Sequence, residues 1–266
     1  MNSNRLLETE IKASIINFLL INNLISFDTL LLNEYSIDRH SRRVDLLAII
    51  KNTSIAFEIK SEADSLRRID GQIEKYLNFF DKLIIVAAPK HINEILRTSP
   101  KNVAIWQISS QGISIVQTGQ IRRISNKFNL LKLMTVRELT ILANQTISTS
   151  GYKHRNELEN ILKDVPLRLL RASYFANIAA KYSKPNHNFW EKVKQHNCAT
   201  VQDISLLSLY QTQRNTLKQK SANKLMTLEK LLKNSIDDSA LLEASTKSKA
   251  PIFGQIPNDI KSMLYA

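Results

Sequence analysis

Glycine and cysteine are both scarce in this chain of 266 residues. Its five glycines are too widely separated to form the GxGxxG or GxxxxGK[ST] loops that bind dinucleotides and nucleoside triphosphates. The GxSxG turn of the α/β-hydrolases is absent as well. The single cysteine, Cys198, excludes an internal disulfide framework and a cysteine-based zinc cluster. These shortages remove several common classes of enzyme and of stabilised secreted domain.

Long apolar runs are also lacking. The apolar stretch over residues 15–27 is interrupted by three asparagines, whereas a membrane-spanning helix needs about 20 apolar residues. Glu8 and Glu10 stand where the apolar part of a secretory signal would begin. Because hydrophobic residues still make up 43% of the chain, it can bury a core. We expect a soluble cytoplasmic protein with no membrane partner.

The charge is strongly positive and unevenly distributed. The net charge is +13. Residues 1–125 hold 16 basic and 13 acidic residues, while residues 126–266 hold 21 and 11, so most of the excess lies in the second half. A positive field attracts nucleic acids through counterion release. Basic surfaces also occur on proteins that bind nothing, so the charge favours a nucleic-acid partner without establishing one.

Hydrophobic periodicity predicts two differently built halves. The first half predicts, in order, a helix over 4–22, strands over 44–50 and 54–60 that form a hairpin, a helix over 65–80, a strand over 83–88, a helix over 91–97 and strands over 103–108 and 113–117. Residues 29–36 fit a short strand or a helix equally well. This order indicates an α/β fold, a mixed β-sheet flanked by helices.

Strand signals end near residue 125. The second half predicts helices over 135–145, 154–163, 166–182, 187–197, 201–218 and 221–234. We therefore divide the chain into an α/β domain over 1–122, a basic, all-α region over 123–236 and a loosely structured tail over 237–266.

Three charged residues stand on the predicted hairpin among apolar neighbours. Asp45 lies near the start of one strand, and Glu58 and Lys60 lie two residues apart on the next, so they share a face. Two carboxylates with a backbone carbonyl between them form an oxygen site for a hard divalent cation. A neighbouring lysine can orient water or stabilise charge on a phosphate. This set suits metal-assisted hydrolysis of a phosphodiester.

A simpler interpretation is a salt bridge from Glu58 to Lys60 or Arg43. Three further features favour the chemical interpretation. Glu8 or Glu10 supplies an acid near the start of the preceding helix, the aspartate comes 13 residues before the glutamate, and Gln72 and Tyr76 follow on the next helix.

The ordered set D-x12-E-x-K, followed by Q-x3-Y, resembles the PD-(D/E)XK nuclease superfamily. The string EIKSEADSLRRIDGQIEKY, followed by FDKLIIVAAP, looks most like small uncharacterised bacterial and phage members. The resemblance covers residues 5–120 and implies a restriction-endonuclease-like core. Val44 stands where the motif has its eponymous proline.

The resemblance implies a role for each matching residue. Asp45 and Glu58 would hold Mg²⁺ or Mn²⁺, with the Ile59 carbonyl as a third ligand, and Lys60 would be the catalytic lysine. Glu8 is preferred to Glu10 as the helix acid because it shares an apolar stripe that faces the sheet. Gln72 would support the site. Tyr76 would pack beneath it, or be an ordinary core residue.

Several basic residues are candidates for binding phosphates. Arg42 and Arg43 precede Asp45, and Arg67 and Arg68 begin the following helix, where the alternative is a solvated surface. Farther along, Lys192 and Lys194 belong to a basic cluster around Phe189 and Trp190. The two tryptophans are expected in the core, and the five histidines at the surface or in turns.

These features predict a metal-dependent nuclease that cleaves DNA, without excluding RNA. The alternative is a catalytically silent nucleic-acid-binding or regulatory protein of the same fold. Dimerisation is common where this fold makes double-strand breaks, so a homodimer is left open. The sequence does not distinguish endonuclease from exonuclease.

Overall fold

The computed structural model describes residues 6–37, 42–147, 154–209 and 226–227. The chain divides into two compact units, Met1–Thr212 and Gln213–Ala266. The strands of the first unit are β1 (Leu30–Ile37), β2 (Arg42–Ile50), β3 (Thr53–Lys60), β4 (Lys82–Ala87), β5 (Ala104–Ser109) and β6 (Gly112–Gln117). Its helices are α1 (Glu8–Ile21), α2 (Ile69–Phe79), α3 (Pro89–Thr98), α4 (Lys127–Lys132), α5 (Val136–Thr146), α6 (Arg155–Leu162), α7 (Leu167–His196) and α8 (Val201–Ile204). A 3₁₀ turn follows at Ser205–Leu207.

The six strands form a mixed sheet in sequence order from β1 to β6. The first three strands are antiparallel, β3, β4 and β5 run parallel, and β6 is again antiparallel. Lys51 and Asn52 join β2 to β3 with φ of 49° and 58°, the backbone that a two-residue type I′ hairpin requires. The predicted hairpin and mixed sheet are confirmed.

Both faces of the sheet are covered. On one face, α1 packs against side chains that include Leu46, Phe57 and Trp106. On the other, α2 and the helices from α4 to α7 bury Leu47, Ala56 and their neighbours. The helical region therefore shares a core with the sheet. The division of the chain at residues 122 and 236 stays a prediction. Among the described helices, none is both long and apolar enough to cross a bilayer.

Helix α7 crosses the open edge of the sheet. Asn186 accepts a hydrogen bond from the Leu31 amide at 2.7 Å and donates to the Leu31 carbonyl at 2.9 Å, and Trp190 donates to the Thr29 carbonyl at 2.8 Å. These bonds satisfy edge-strand groups that would otherwise lack partners. The predicted separate helices over 166–182 and 187–197 are wrong, because α7 continues through the buried Pro185. The burial of Pro185, Asn186 and Trp190 outweighs the cost of the proline.

A buried ion pair fastens α7 to the start of β4. Both Asp81 oxygens accept bonds from the Arg171 guanidinium, at 2.9 and 3.0 Å. Asp81 also accepts from the Ser54 amide at 2.8 Å and the Ile124 amide at 2.9 Å. Burial alone would raise the pKa of Asp81, but these donors outweigh it and lower the pKa.

Other sequence expectations need adjustment. Residues 30–37 form a strand, and the helix predicted over 65–80 begins only at Ile69. The sequence pattern did not predict α4. The helix expected over 201–218 ends at Ile204 and gives way to a 3₁₀ turn. The helix predicted over 4–22 begins only at Glu8, because Leu7 is extended. Most of the helix over 221–234 and the tail over 237–266 lie outside the described residues.

Candidate functional site

Asp45 and Glu58 meet where the pairing of β2 with β3 ends. The last pair of that ladder is Leu46 with Phe57, so the next position on each strand is one of the two carboxylates. There Asp45 Oδ2 accepts a hydrogen bond from the Ile59 amide at 2.7 Å. The Asp45 side chain thus takes the place of a backbone acceptor for the Ile59 amide. The two predicted carboxylates, Asp45 and Glu58, meet at this point.

Glu58 is nearly fully buried, with 2% of its surface exposed. Its Oε1 accepts from Lys60 Nζ at 2.7 Å and from the Gln72 side-chain amide. Its Oε2 is also buried but has no hydrogen-bond partner among the residues that the structure describes. Burial of a carboxylate oxygen without a donor is costly, and the Tyr76 side chain acts on this carboxylate from α2 by lowering its pKa.

Burial and mutual repulsion change how the two acids ionise. Burial, the Glu58 charge and the Glu8 charge raise the pKa of Asp45 to about 8, against the Ile59 amide and Lys12, which lower it. Burial likewise raises the pKa of Glu58, against the lowering effect of Lys60. The two carboxylates therefore resist being ionised together near neutral pH unless another cation joins them.

Helix α2 closes the site from one side of the sheet. Gln72 and Tyr76 are one turn apart on its buried side. The Tyr76 hydroxyl donates to the Arg43 carbonyl at 2.7 Å. Burial, followed by the charges of Glu58 and Asp45, raises the pKa of Tyr76, which keeps this donor protonated. Tyr76 is thus a buried residue that also fixes the backbone two residues before Asp45.

Helix α1 brings Glu8 close enough to affect Asp45 electrostatically. The Glu8 side chain is 51% exposed and forms an ion pair with Lys12 at 2.6 Å, rather than packing against the sheet as its apolar stripe predicted. Glu10 instead accepts from the Leu7 amide at 2.6 Å, at the start of the helix. The assignment of Glu8 as the helix acid stays a prediction.

Strand β1 is strained opposite Asp45. Glu34 lies between Asn33 and Tyr35, which pair with Leu46 and Val44, and it has a left-handed φ of 56°. For a residue with a side chain, this conformation costs on the order of 1–2 kcal/mol. Glu34 also pairs with Arg43 at 3.1 Å. Such strain is concentrated at functional sites, which agrees with the position of Asp45.

The donors present fit a hard divalent cation in part. Within the described ranges, no group of three or more His, Cys, Asp and Glu side chains could hold a metal. Mg²⁺ is commonly bound through one or two carboxylates, with water and substrate phosphate completing its shell. The unpartnered Glu58 Oε2 and the raised pKa of Asp45 match that type of site.

The basic residues separate into two places. Arg42 lies beside α2. Its Nη2 is 3.6 Å from the point where a Cβ atom would stand if Gly71 carried a side chain. Arg43, Arg67 and Arg68 are exposed nearby in the chain. Lys192 and Lys194 are exposed at the far end of α7, whose buried residues belong to the core on the α1 face. The structure does not bring these lysines together with the arginines before α2.

Two residues near the site were not predicted from the sequence. Lys12 is 1% exposed and donates to Asn33 Oδ1 at 2.8 Å, in addition to its pair with Glu8. The spacing of Glu8 and Lys12 on the apolar side of α1 was the available signal. His91, expected at the surface, is buried with Nε2 3.1 Å from the Ser61 carbonyl, because α3 packs against the end of β3. The expected burial of Trp106 and Trp190 is confirmed.

Comparison with known proteins identifies the family. The family model described as bacteriophage P4 protein cII matches residues 1–208. The chain belongs to the bacteriophage P4 protein cII family. Protein cII of Enterobacteria phage P4 is 32% identical over 215 residues, which cover 79% of this chain and 81% of that protein. A protein of unknown function from Silicibacter pomeroyi is similar at 17% identity and a TM-score of 0.33, over 58% of this chain and 98% of that one.

Proposed function

We propose that this member of the bacteriophage P4 protein cII family is a divalent-metal-dependent nuclease with a restriction-endonuclease-like core. The observation that carries the proposal is the meeting of Asp45 and Glu58 where β2 and β3 part. Lys60 bonds to one oxygen of Glu58, and the other has no hydrogen-bond partner in the part of the chain that the structure describes. A buried glutamate beside a second, partly buried acid destabilises the fold, so the presence of this pair argues for a functional use.

Asp45, Glu58 and the Ile59 carbonyl would hold Mg²⁺ or Mn²⁺. The metal would supply Lewis-acid polarisation of a phosphate oxygen and a lower pKa for a bound water. This role fits the acids, because a cation between them removes the repulsion that raises the pKa of Asp45.

Lys60 and Gln72 would position the reacting groups. Lys60 donates one of its three N–H bonds to Glu58 Oε1, which leaves others that can reach water or a non-bridging phosphate oxygen. Such donors stabilise the negative charge that develops on the oxygens of the reacting phosphate. Gln72 donates to the same Glu58 oxygen, so it helps to fix the carboxylate.

DNA is the substrate that the charge favours. The chain has a net charge of +13; Arg67 and Arg68 directly precede α2, and Arg42 lies beside Gly71 in its first turn. Arginines bind phosphates in pairs of hydrogen bonds. RNA offers the same phosphates and is a second substrate to test. We place the activity in the cytoplasm of a bacterial cell.

The direct experiment incubates purified protein with supercoiled plasmid, linear duplex DNA, single-stranded DNA and RNA, with Mn²⁺ or with EDTA. We expect the wild type to cleave in the presence of Mn²⁺ and not in EDTA. Lys60→Ala should lose this activity, whereas Lys101→Ala, at an exposed control position, should keep it. Absence of metal-dependent cleavage on every substrate would refute the proposal, and so would a Lys60→Ala variant as active as the wild type.

A second candidate function is binding of nucleic acid without cleavage. The 2.7 Å pair of Lys60 with Glu58 and the lack of a third acidic metal ligand in the described residues favour it. This function predicts DNA binding that is equally tight in EDTA and in Mn²⁺ and that survives Asp45→Asn. Fluorescence anisotropy with labelled duplex and single strands distinguishes the two.

A further inference from the structure

Lys12 is a buried positive charge on the inner side of α1. Only 1% of its surface is exposed, and its neighbours Ile11, Ile15 and Ile16 are buried apolar residues. Burial of an ammonium group is costly unless it is paired and hydrogen-bonded. A helix that merely had to cover the sheet would be served better by an apolar residue here, so the charge requires an explanation.

The contacts of Lys12 join three elements around Asp45. Its Nζ lies 2.6 Å from Glu8 Oε1 on α1 and 2.8 Å from Asn33 Oδ1 on β1. Asn33 pairs with Leu46 on β2, the residue next to Asp45. The ammonium group thus connects the predicted helix acid to the strand that flanks the candidate metal ligand.

The charges of Lys12 and Glu8 both act on Asp45. Glu8 raises the pKa of that acid and Lys12 lowers it, so both groups lie within electrostatic range. A salt bridge that only fastened α1 to the sheet would not need this location. Lys12 pairs with Glu8 and Lys60 with Glu58, so two of the three acids each have an ammonium group against them.

We infer that Lys12 is a positioning residue of the candidate site: its buried ammonium group holds the Glu8 side chain and offsets the negative charge of Glu8 and Asp45. The inference rests on the proposed function. Lys12 itself contacts neither metal nor substrate in this account. Residues that orient metal ligands from behind typically change metal affinity or activity by about 10–100-fold when they are replaced.

The test compares Lys12→Met, Lys12→Arg and Glu8→Gln with the wild type and with the exposed control Lys101→Met. Each protein is measured for Mn²⁺ affinity by calorimetry, for single-turnover cleavage rate, for substrate affinity and for melting temperature. We expect Lys12→Met to weaken Mn²⁺ binding and cleavage by about 10–100-fold, with substrate affinity and melting temperature little changed. Lys12→Arg restores the charge and should recover most of the loss.

The double variant Lys12→Met/Glu8→Gln separates positioning from simple packing. If Lys12 acts through Glu8, the double variant loses no more Mn²⁺ affinity than the more damaged single variant, whereas independent residues give multiplied losses. Glu8 is half-exposed, so we expect Glu8→Gln to fold normally. This variant therefore still tests the Lys12–Glu8 pair if Lys12→Met folds poorly.

Three results would overturn the inference. One is a Lys12→Met protein with wild-type Mn²⁺ affinity and cleavage, another is a loss that Lys12→Arg does not reverse, and the third is fully multiplied losses in the double variant. Failure of the proposed function has a different signature. If the wild type binds Mn²⁺ but cleaves no substrate, the proposed nuclease activity is refuted, while the Mn²⁺ affinities of the variants still test the role of Lys12. If the wild type neither binds Mn²⁺ nor cleaves, both the proposed function and the inference about Lys12 are refuted.

Discussion

The Asp45 carboxylate accepts a 2.7 Å hydrogen bond from the Ile59 amide, across the point where their two strands stop pairing. The bond holds an acid against a second acid, Glu58, in a place that water reaches poorly. This arrangement raises the pKa of Asp45 to about 8, through burial first and then through the charge of Glu58. This arrangement lowers the free energy of unfolding, and the effect can be measured as a dependence of stability on pH.

Replacement of Asp45 should stabilise the protein at high pH. Because the folded pKa is about 8 and the ordinary value is 3.8, the folded state keeps a proton that the unfolded chain loses within this window. Stability therefore falls as the pH rises from about 4 to about 8. Asp45→Asn removes this titration and keeps an acceptor for Ile59. We expect it to be more stable than the wild type by about 1–3 kcal/mol at the upper end of the window.

Urea unfolding at a series of pH values, without divalent ions, checks this expectation. The two proteins should be equally stable near the lower end of the window and separate as the pH rises. Glu62→Gln, at an exposed position in the following loop, is the matched control and should follow the wild type. An Asp45→Asn protein that is less stable than the wild type at high pH would contradict the account.

Asp81 should behave in the opposite way. Burial opposes its ionisation, but Arg171, Ser54 and Ile124 outweigh burial and lower its pKa. The stability that it contributes is present above its ordinary pKa of 3.8 and disappears as the pH falls through the lowered folded value. Asp81→Asn should cost about 3 kcal/mol at neutral pH, because it leaves the Arg171 charge without its partner.

Acid denaturation followed by circular dichroism tests this prediction. The wild type should lose stability more steeply than Asp81→Asn below about pH 4, so the two curves converge in acid. The control Glu191→Gln removes only the exposed pair with Lys194, so its denaturation curve should match that of the wild type. Coincident curves for Asp81→Asn and the wild type would show that this acid has no stabilising role.

Asn186→Ala should open the edge of the sheet at β1. The variant removes both side-chain bonds to Leu31, and we expect a loss of about 2–3 kcal/mol, because a buried donor and a buried acceptor remain unpaired. The free energy of opening obtained from hydrogen exchange of the Leu31 amide should fall by a similar amount, so this amide should exchange faster. Asn78→Ala, at an exposed residue that bonds only to the Glu74 carbonyl through its side chain, should leave this exchange unchanged.

Local patterns were enough to predict the hairpin, the parallel strands and most helices. Alternating and continuous apolar runs determine β2 to β6, because those residues are buried wherever the sheet lies. Helix α7 could not be predicted as one element, because Pro185 normally ends a helix. Its continuation depends on Asn186 and Trp190, which bond to backbone groups about 155 or more residues away in sequence.

The candidate site was predicted only as far as spacing allows. Alternation on a strand places Glu58 and Lys60 on one face. The salt bridge between them, expected as the simpler interpretation, is confirmed, and the structure adds the bond of Asp45 to Ile59. The predicted exposure of His91 is wrong, since a tertiary contact with the end of β3 buries it. Lys12 was missed because a lysine four residues after a glutamate usually forms a surface pair, and only the fold shows that it is buried.

Binding of Mn²⁺ by the two carboxylates is the most direct test of the central claim. Electron paramagnetic resonance counts free Mn²⁺ in titrations of the wild type, Asp45→Asn, Glu58→Gln and the control Glu62→Gln. We expect about one tight site in the wild type and the control, and at least about 10-fold weaker binding in each site variant, all of which stay folded. Equal binding in Asp45→Asn, or no binding in the wild type, would contradict the claim that these two acids share an ion.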